Sequence, residues 1–325
     1  MTDAGQAEQT GQAALPGVEG VLVIDKGLGL TSHDVVAAMR RVVGSKPGRR
    51  GNRKGPKVGH AGTLDPDASG VLVVCIGRAT RLVPYLQAST KTYDARMRLG
   101  RTTTTLDNQG EETSTTDASD VTEKGLCEVL KSFVGDIHQI PPMVSAVKVG
   151  GERLYEKARR GEVIERAPRA VTIHDIVLAD FVPGPAAEAS FLVTCTAGTY
   201  IRTLAADVGG VLGVGGHLTA LRRLGSGRFA VEDAVELDTA ITMGEEGTFA
   251  DAVISPADAM ADYPSVTVEA VEAAAVRNGR RLDDPAGRTH ADLSGGILCV
   301  LDPDGDLVAV MRVADGQARP EVVFN

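Results

Sequence analysis

Residues 58–77 read VGHAGTLDPDASGVLVVCIG, and the stretch divides in two. GVLVVCIG (70–77) is a near-continuous apolar run, the signature of a short strand buried on both faces. The half before it, VGHAGTLDP (58–66), carries two glycines, His60 and one carboxylate, Asp65, wedged between Leu64 and Pro66. Asp-Pro is a common turn dipeptide, so a turn is the plain reading. The surroundings suggest more, because Arg40–Lys57 holds eight Lys/Arg and no acid at all. A carboxylate just after such a segment reads as a catalytic acid residue beside a polyanion.

Upstream, GVLVID (20–25) has the pattern of a strand. TSHDVVAAMRRVV (31–43) has that of a helix capped by Ser32, with Val35, Val36, Met39, Val42 and Val43 on one face. GSKPGRRGNRKGPK (44–57) is too rich in Gly, Pro and positive charge for a regular element and reads as a flexible basic loop. Downstream, ATRLVPYLQAS (79–89) is expected to be a short helix, with Pro84 blurring its boundary. KTYDARMRLG (91–100) alternates, with Tyr93, Ala95, Met97 and Leu99 on one face, and so reads as a half-exposed strand. A polar loop is expected over 101–121, then helices over 121–135 and 152–161, strands over 170–182 and 188–198, and a helix over 199–213. Strands and helices mix without strict alternation. That predicts an α+β fold, a mixed and mainly antiparallel sheet flanked by helices.

Composition bounds the function. Hydrophobic residues make up 43 % of the 325 residues and charged ones 24 %, enough for a globular core. No apolar run approaches the roughly 18 residues that would span a bilayer, and no membrane association is expected. The start, MTDAGQAEQTGQAALPG, lacks the features of a signal peptide and reads as a disordered tail over 1–17. Cys75, Cys127, Cys195 and Cys299 are far apart, which argues against a zinc site or a disulfide framework and for a cytoplasmic protein with four buried thiols. The net charge is −9, but residues 229–325 hold 19 acids and 6 Arg, a net of −13, so residues 1–228 carry +4. A domain change is expected near Asp262-Tyr263-Pro264, which divides the chain into 18–261 and a small β-rich domain over 262–325.

GHAGTLDP (59–66) resembles the G-H-x-G-x-L-D-P motif of the TruB family of tRNA pseudouridine synthases. Further blocks match in order over about 210 residues: VIDKGLGLTSHDVV (23–36), KTYDARMRLGRTTTTLDNQG (91–110), QIPPMVSAVKVGGERLYEKARRG (139–161), GTYIRTLAADVG (198–209) and GGHLTALRRLGSGRF (215–229). The resemblance implies a pseudouridine synthase fold followed by a PUA-like C-terminal domain. It also implies an isomerase that breaks the N1–C1′ bond of a uridine and forms C5–C1′, needing neither cofactor nor metal. The expected substrate is the T arm of tRNA, at the T-loop uridine conventionally numbered 55. A monomer without an obligate protein partner is expected.

By the same resemblance Asp65 is the essential residue. It adds to the ring, attacks C1′ or accepts a proton from the sugar, and the sequence does not choose among these. Arg202 pairs with Asp65, taken as a buried carboxylate. Tyr93 stacks on the target ring and assists removal of the C5 proton. His60 fills the space that the flipped base leaves, and Leu221 packs against the base. Tyr200, near Arg202 in sequence, is grouped with the substrate-binding residues. Arg49, Arg50, Arg53, Lys54 and Lys57 are candidates for backbone phosphates, with a steep salt dependence.

This chain departs from the pattern at Thr104, where the family often has an acid, and at Gly27, where a proline is common. Thr104 is not assigned to the site, and Asp107 remains as the next acid. Three other readings stand beside this one: a guide-RNA-dependent synthase of the same fold, a tRNA-binding chaperone, and a hydrolase resembling glycosidases. The last typically requires two carboxylates flanking the bond, and only one stands out.

Overall fold

The computed structural model describes residues 18–47, 53–143, 145, 148–149, 152–153, 160, 162, 164–289, 292–293 and 296–325. The expected tail, Arg49, Arg50 and most of the helix expected over 152–161 lie outside the described residues. Ten strands build one sheet: β1 (Gly20–Lys26), β2 (Val58–His60), β3 (Ala68–Ile76), β4 (Lys91–Leu99), β5 (Gly135–Gln139), β6 (Arg169–Val182), β7 (Glu188–Cys195), β8 (Gly216–Ser226), β9 (Phe229–Ala230) and β10 (Val235–Glu236). The order is β10-β1-β3-β8-β4-β7-β6-β5, with β2 on β3 and β9 on β8. Among the described residues of this sheet, only β1–β10 and β3–β8 pair in parallel. The fold is therefore α+β with a mixed, mainly antiparallel sheet.

Alternation decides which face each strand buries. In β4, Lys91, Tyr93, Ala95, Met97 and Leu99 point inward. Their face is covered by α1 (Ser32–Val42), α3 (Glu123–Ser132), α4 (Ile201–Val211) and α5 (Leu237–Glu246), with α2 (Val83–Gln87) elsewhere on the chain. Strand β3 serves two cores, as its apolar run requires. Leu72, Val74 and Ile76 join the helical side, while Val71, Val73 and Cys75 join a second cluster with Ile297, Cys299, Leu307 and Val310.

Those last residues come from a separate five-stranded sheet: β11 (Ser265–Thr267), β12 (Leu282–Asp283), β13 (Ile297–Leu301), β14 (Leu307–Ala314) and β15 (Gln317–Val323), ordered β11-β13-β14-β15-β12. Polar ties fasten it. Arg81 donates to the Val323 carbonyl at 2.6 Å, and Tyr85 to Glu321 at 2.8 Å.

Several local expectations change. Thr31, not Ser32, caps α1: its hydroxyl accepts from the Asp34 amide while Asp34 accepts from the Thr31 amide, a reciprocal capping box. Ser32 is buried and used elsewhere. Pro84 does not interrupt a helix, because a 3₁₀ segment (Gly77–Leu82) precedes α2 and puts the proline in the first turn, where its missing N–H costs nothing. The basic segment is not wholly irregular, since Lys46–Pro47 and Arg53–Lys54 pair antiparallel. Within the expected polar loop, Arg101–Thr103 pairs with Glu112–Thr115. Glu152–Arg153 pairs with Lys148–Val149 instead of beginning a helix. Cys127 is half-buried, while burial pushes the thiols of Cys75 and Cys299 up to about 12 and that of Cys195 to about 11.

Gly70 is where β3 meets β8, at φ 100°, and a Cβ there would lie 2.1 Å from the Arg223 carbonyl oxygen. Both backbone strain and steric overlap oppose any side chain. Gly70→Ala is expected to cost at least about 2 kcal/mol, read as a lower urea midpoint with unchanged slope.

Candidate active site

Asp65 sits in the turn between β2 and β3, closed by the Ala68 amide donating to the Asp65 carbonyl at 3.1 Å. The plain reading of Asp-Pro was thus correct about the backbone. The turn is fastened from three directions. Ser32 Oγ donates to the Leu64 carbonyl (2.9 Å) and accepts from the Leu64 amide (2.8 Å), so a buried hydroxyl satisfies both backbone groups next to Asp65. Lys26 is fully buried, and its ammonium donates to the carbonyls of Leu30 at 2.7 Å and Pro66 at 3.4 Å. Burial lowers the Lys26 pKa, against the pull of nearby Asp65 and Asp67. From β8, the Arg223 guanidinium donates to the carbonyls of Val71 (2.7 Å), Gly62 (3.1 Å) and Thr63 (3.4 Å).

The side chain of Asp65 faces Arg202, in the first turn of α4, with Nη2 to Oδ2 at 3.0 Å. The burial is the reverse of the expectation. The Arg202 side chain is 8 % exposed and that of Asp65 is 50 % exposed. The cation is the buried partner, and the carboxylate opens onto the cleft.

Arg202 has a second acid. Its Nη1 lies 3.1 Å from Asp107 Oδ2 and also donates to the Thr105 carbonyl at 3.3 Å. Asp107 is held by the Thr105 hydroxyl and the Gln109 amide, both donating to its Oδ1. Its loop is pinned on β8. The Leu218 amide donates to the Leu106 carbonyl at 3.0 Å, with Leu106 itself at φ 64°. Buried His217 places Nδ1 3.0 Å from the Arg101 carbonyl and Nε2 3.1 Å from Asn108 Oδ1. Thr104 faces solvent and closes the loop locally by accepting from the Glu111 amide.

A cleft opens over this pair, and Asp65, Tyr93, Tyr200, Arg202 and Leu221 all line it. Tyr93 is only 8 % exposed, so burial raises its phenol pKa, with Arg223 working in the opposite direction. The cleft therefore presents a half-open carboxylate, a neutral phenol, an apolar side chain and a guanidinium that neutralises the carboxylate.

Three family models match the chain end to end from residue 49: the N-terminal domain of TruB family pseudouridylate synthases over 49–201, the tRNA pseudouridylate synthase B C-terminal domain over 202–262, and the tRNA pseudouridine synthase II C-terminal region over 263–325. The chain belongs to the TruB family of pseudouridylate synthases. A protein of Thermobifida fusca named tRNA pseudouridine synthase B is 42 % identical over 94 % of this chain and 98 % of its own. One of the same name from Symbiobacterium thermophilum is 47 % identical over 81 % of this chain and 82 % of its own. A chain of a crystallised Cbf5–Nop10–Gar1 complex superposes with a TM-score of 0.72 at 30 % identity, covering 95 % of this chain and 84 % of that one. The enzyme class, a pseudouridine synthase acting as an isomerase, follows from this membership.

Of the residues picked out by the TruB resemblance, five meet in the cleft. His60 is not among its lining residues and lies on β2 opposite Val74. Tyr200 sits at the N-terminal boundary of α4, where Gln139 accepts from its amide (2.9 Å) and donates to its carbonyl (3.3 Å). Lys57 is exposed, and Arg53 and Lys54 lie on the short basic hairpin.

Sequence reasoning missed Ser32, Arg223 and Lys91, and left Asp107 without a role. Arg223 and Ser32 act through backbone carbonyls or amides, a job no motif advertises. Lys91 is 4 % exposed and donates to Ser89 Oγ at 2.7 Å and the Ser89 carbonyl at 2.9 Å.

Burial, reinforced by Arg223, lowers the Lys91 pKa to about 8 from its ordinary 10.5. Between these values the unfolded chain holds a proton that the folded chain has released, so stability rises with pH across that window. Urea unfolding at pH 8 and pH 10 should show wild type gaining stability relative to Lys91→Met. Parallel curves would mean that Lys91 is not destabilised by its burial.

Proposed function

We propose that this protein converts uridine 55 in the T loop of tRNA to pseudouridine, with Asp65 as its essential catalytic residue. The observation that carries the reading is the buried guanidinium of Arg202, which holds a half-exposed carboxylate at the wall of a cleft lined by Tyr93 and Leu221. A uracil in that cleft would lie against Tyr93 and Leu221, with its glycosidic bond toward Asp65.

Isomerisation breaks N1–C1′, turns the ring and forms C5–C1′. The C5 proton is lost, and N1 gains one. Asp65 serves by adding to the ring, attacking C1′ or taking a proton from the sugar, and each requires an ionised carboxylate. Arg202 pairs with the carboxylate and fixes it at the cleft wall, while Asp107 keeps Arg202 in place. Tyr93 assists departure of the C5 proton. The target base must leave its stack, at a cost of a few kcal/mol, and His60 occupies the space it vacates.

Lys57, Arg53 and Lys54, together with Arg49 and Arg50, contact phosphates along the arm. Residues 18–261 form the catalytic unit. Residues 262–325 form a PUA-like domain that braces it through the shared core and the Arg81 and Tyr85 ties. The protein acts in the cytoplasm as a monomer, without guide RNA. The similarity to relatives named tRNA pseudouridine synthase B over nearly their whole length supports tRNA as the substrate.

The test is tritium release from a T-arm RNA labelled at uridine C5, with no cofactor added. Asp65→Asn is expected to lower turnover by at least about a thousandfold while RNA affinity stays within a few-fold. Asp107→Asn should lower the rate by a smaller factor, on the order of ten- to a hundredfold, through misplacement of Arg202. Equal release from wild type and Asp65→Asn would remove Asp65 from the mechanism. Tight binding with no release by wild type would favour a chaperone or a missing guide.

A further inference from the structure

One wall of the cleft is not used by the chemistry above. It comprises Arg169 at the start of β6, Ser145 and the segment Gly198–Tyr200 that leads into α4. Three features there converge on an anion. First, Arg169 is exposed at the cleft, and its guanidinium has no hydrogen-bond or ion-pair partner among the described residues. The other cations in the cleft are all engaged: Arg202 by Asp65 and Asp107, Arg223 by three carbonyls and Lys91 by Ser89. Second, Ser145 is 6 % exposed, and its Oγ is buried with no hydrogen-bond partner among the described residues. A buried hydroxyl left so is unfavourable unless a ligand supplies the partner. Third, α4 is eleven residues long, and no side chain caps its N-terminus, whose first turn lines the same cleft. Unsatisfied amides and the helix dipole favour negative charge at that end. Gly198, at φ 89° with nothing within 4 Å of where a Cβ would stand, leaves open space beside the helix start.

Asp65 is the only acid among the described residues lining this cleft, and Arg202 already engages it. We propose that Arg169, Ser145 and the N-terminus of α4 form a subsite for one of the two phosphodiesters that flank the target nucleotide. The subsite rests on the RNA-modifying reading above and extends it. With the base held between Tyr93 and Leu221, gripping an adjacent phosphate would fix the sugar and present C1′ to Asp65. The guanidinium gives two parallel donors, the serine a third, and the helix amides complete the cradle.

The experiment uses T-arm RNAs with a single uncharged methylphosphonate at the linkage 5′ or 3′ of the target uridine. Affinity and single-turnover tritium release are measured for wild type, Arg169→Met, Arg169→Lys and Ser145→Ala. For wild type, neutralising one of the two linkages is expected to weaken binding about tenfold. Arg169→Met should lose a similar factor on unmodified RNA and nothing further on that modified RNA. Its salt dependence should be shallower by about one counterion, and Arg169→Lys should restore the salt slope but only part of the affinity. Ser145→Ala should lose a few-fold, confined to the same linkage. Independent, multiplying losses at both linkages, or unchanged affinity in Arg169→Met, would overturn the subsite while leaving the catalytic reading intact. Absence of release from unmodified RNA by wild type would instead remove the catalytic reading, and the subsite with it.

Discussion

The site is organised around one buried cation. Arg202 lies in the first turn of a helix, where the macrodipole disfavours positive charge, and it is almost wholly removed from water. Such a group is tolerable only if acids and carbonyls surround it. Asp65, Asp107 and the Thr105 carbonyl meet that demand from two loops that are remote in sequence. The requirement runs in both directions: the guanidinium fixes the carboxylates, and the carboxylates make its burial possible. Breaking either pair leaves a poorly solvated charge, so geometry and electrostatics at Asp65 are not separable.

The supporting shell follows the same logic at one remove. The Asp65 turn is short and rich in glycine, and cannot hold its own shape. It is clamped by side chains that address its backbone: Ser32 from α1, Lys26 from β1 and Arg223 from β8. The Asp107 loop is clamped in turn by His217 and Leu218 of β8. Strand β8 therefore touches both loops, and its place between β3 and β4 sets the distance between them.

Much of the fold was legible in sequence because strand faces and helix faces follow simple periods. β3, β4 and α1 emerged near their observed bounds, and the double burial of β3 was visible in its unbroken apolar run. The choice of Thr31 over Ser32 as cap was not, since either hydroxyl satisfies the local pattern and only the distant Leu64 decides which is free. Within the site, motif residues such as Asp65, Tyr93 and Arg202 could be picked out by resemblance. Arg223 and Lys91 could not, because a long cation in a strand usually reaches solvent, and their burial depends on backbone carbonyls that no one-dimensional pattern marks. The half-open state of Asp65 was missed for a related reason: exposure is a property of the assembled cleft, not of a carboxylate and its neighbours in the chain.

The sequence separations within this clamp bear on when the protein acquires its site during synthesis. Arg223 reaches back 161 residues to Gly62, and the β3–β8 register joins Arg223 to Gly70. An emerging chain that ends before β8 lacks the strand that fixes both acidic loops, however well its earlier helices have formed. Contacts of such long range form slowly and late. The cleft around Asp65 and Arg202 is thus withheld until the segment through Arg223 has been made, and chains that leave the ribosome before β8 is complete lack it.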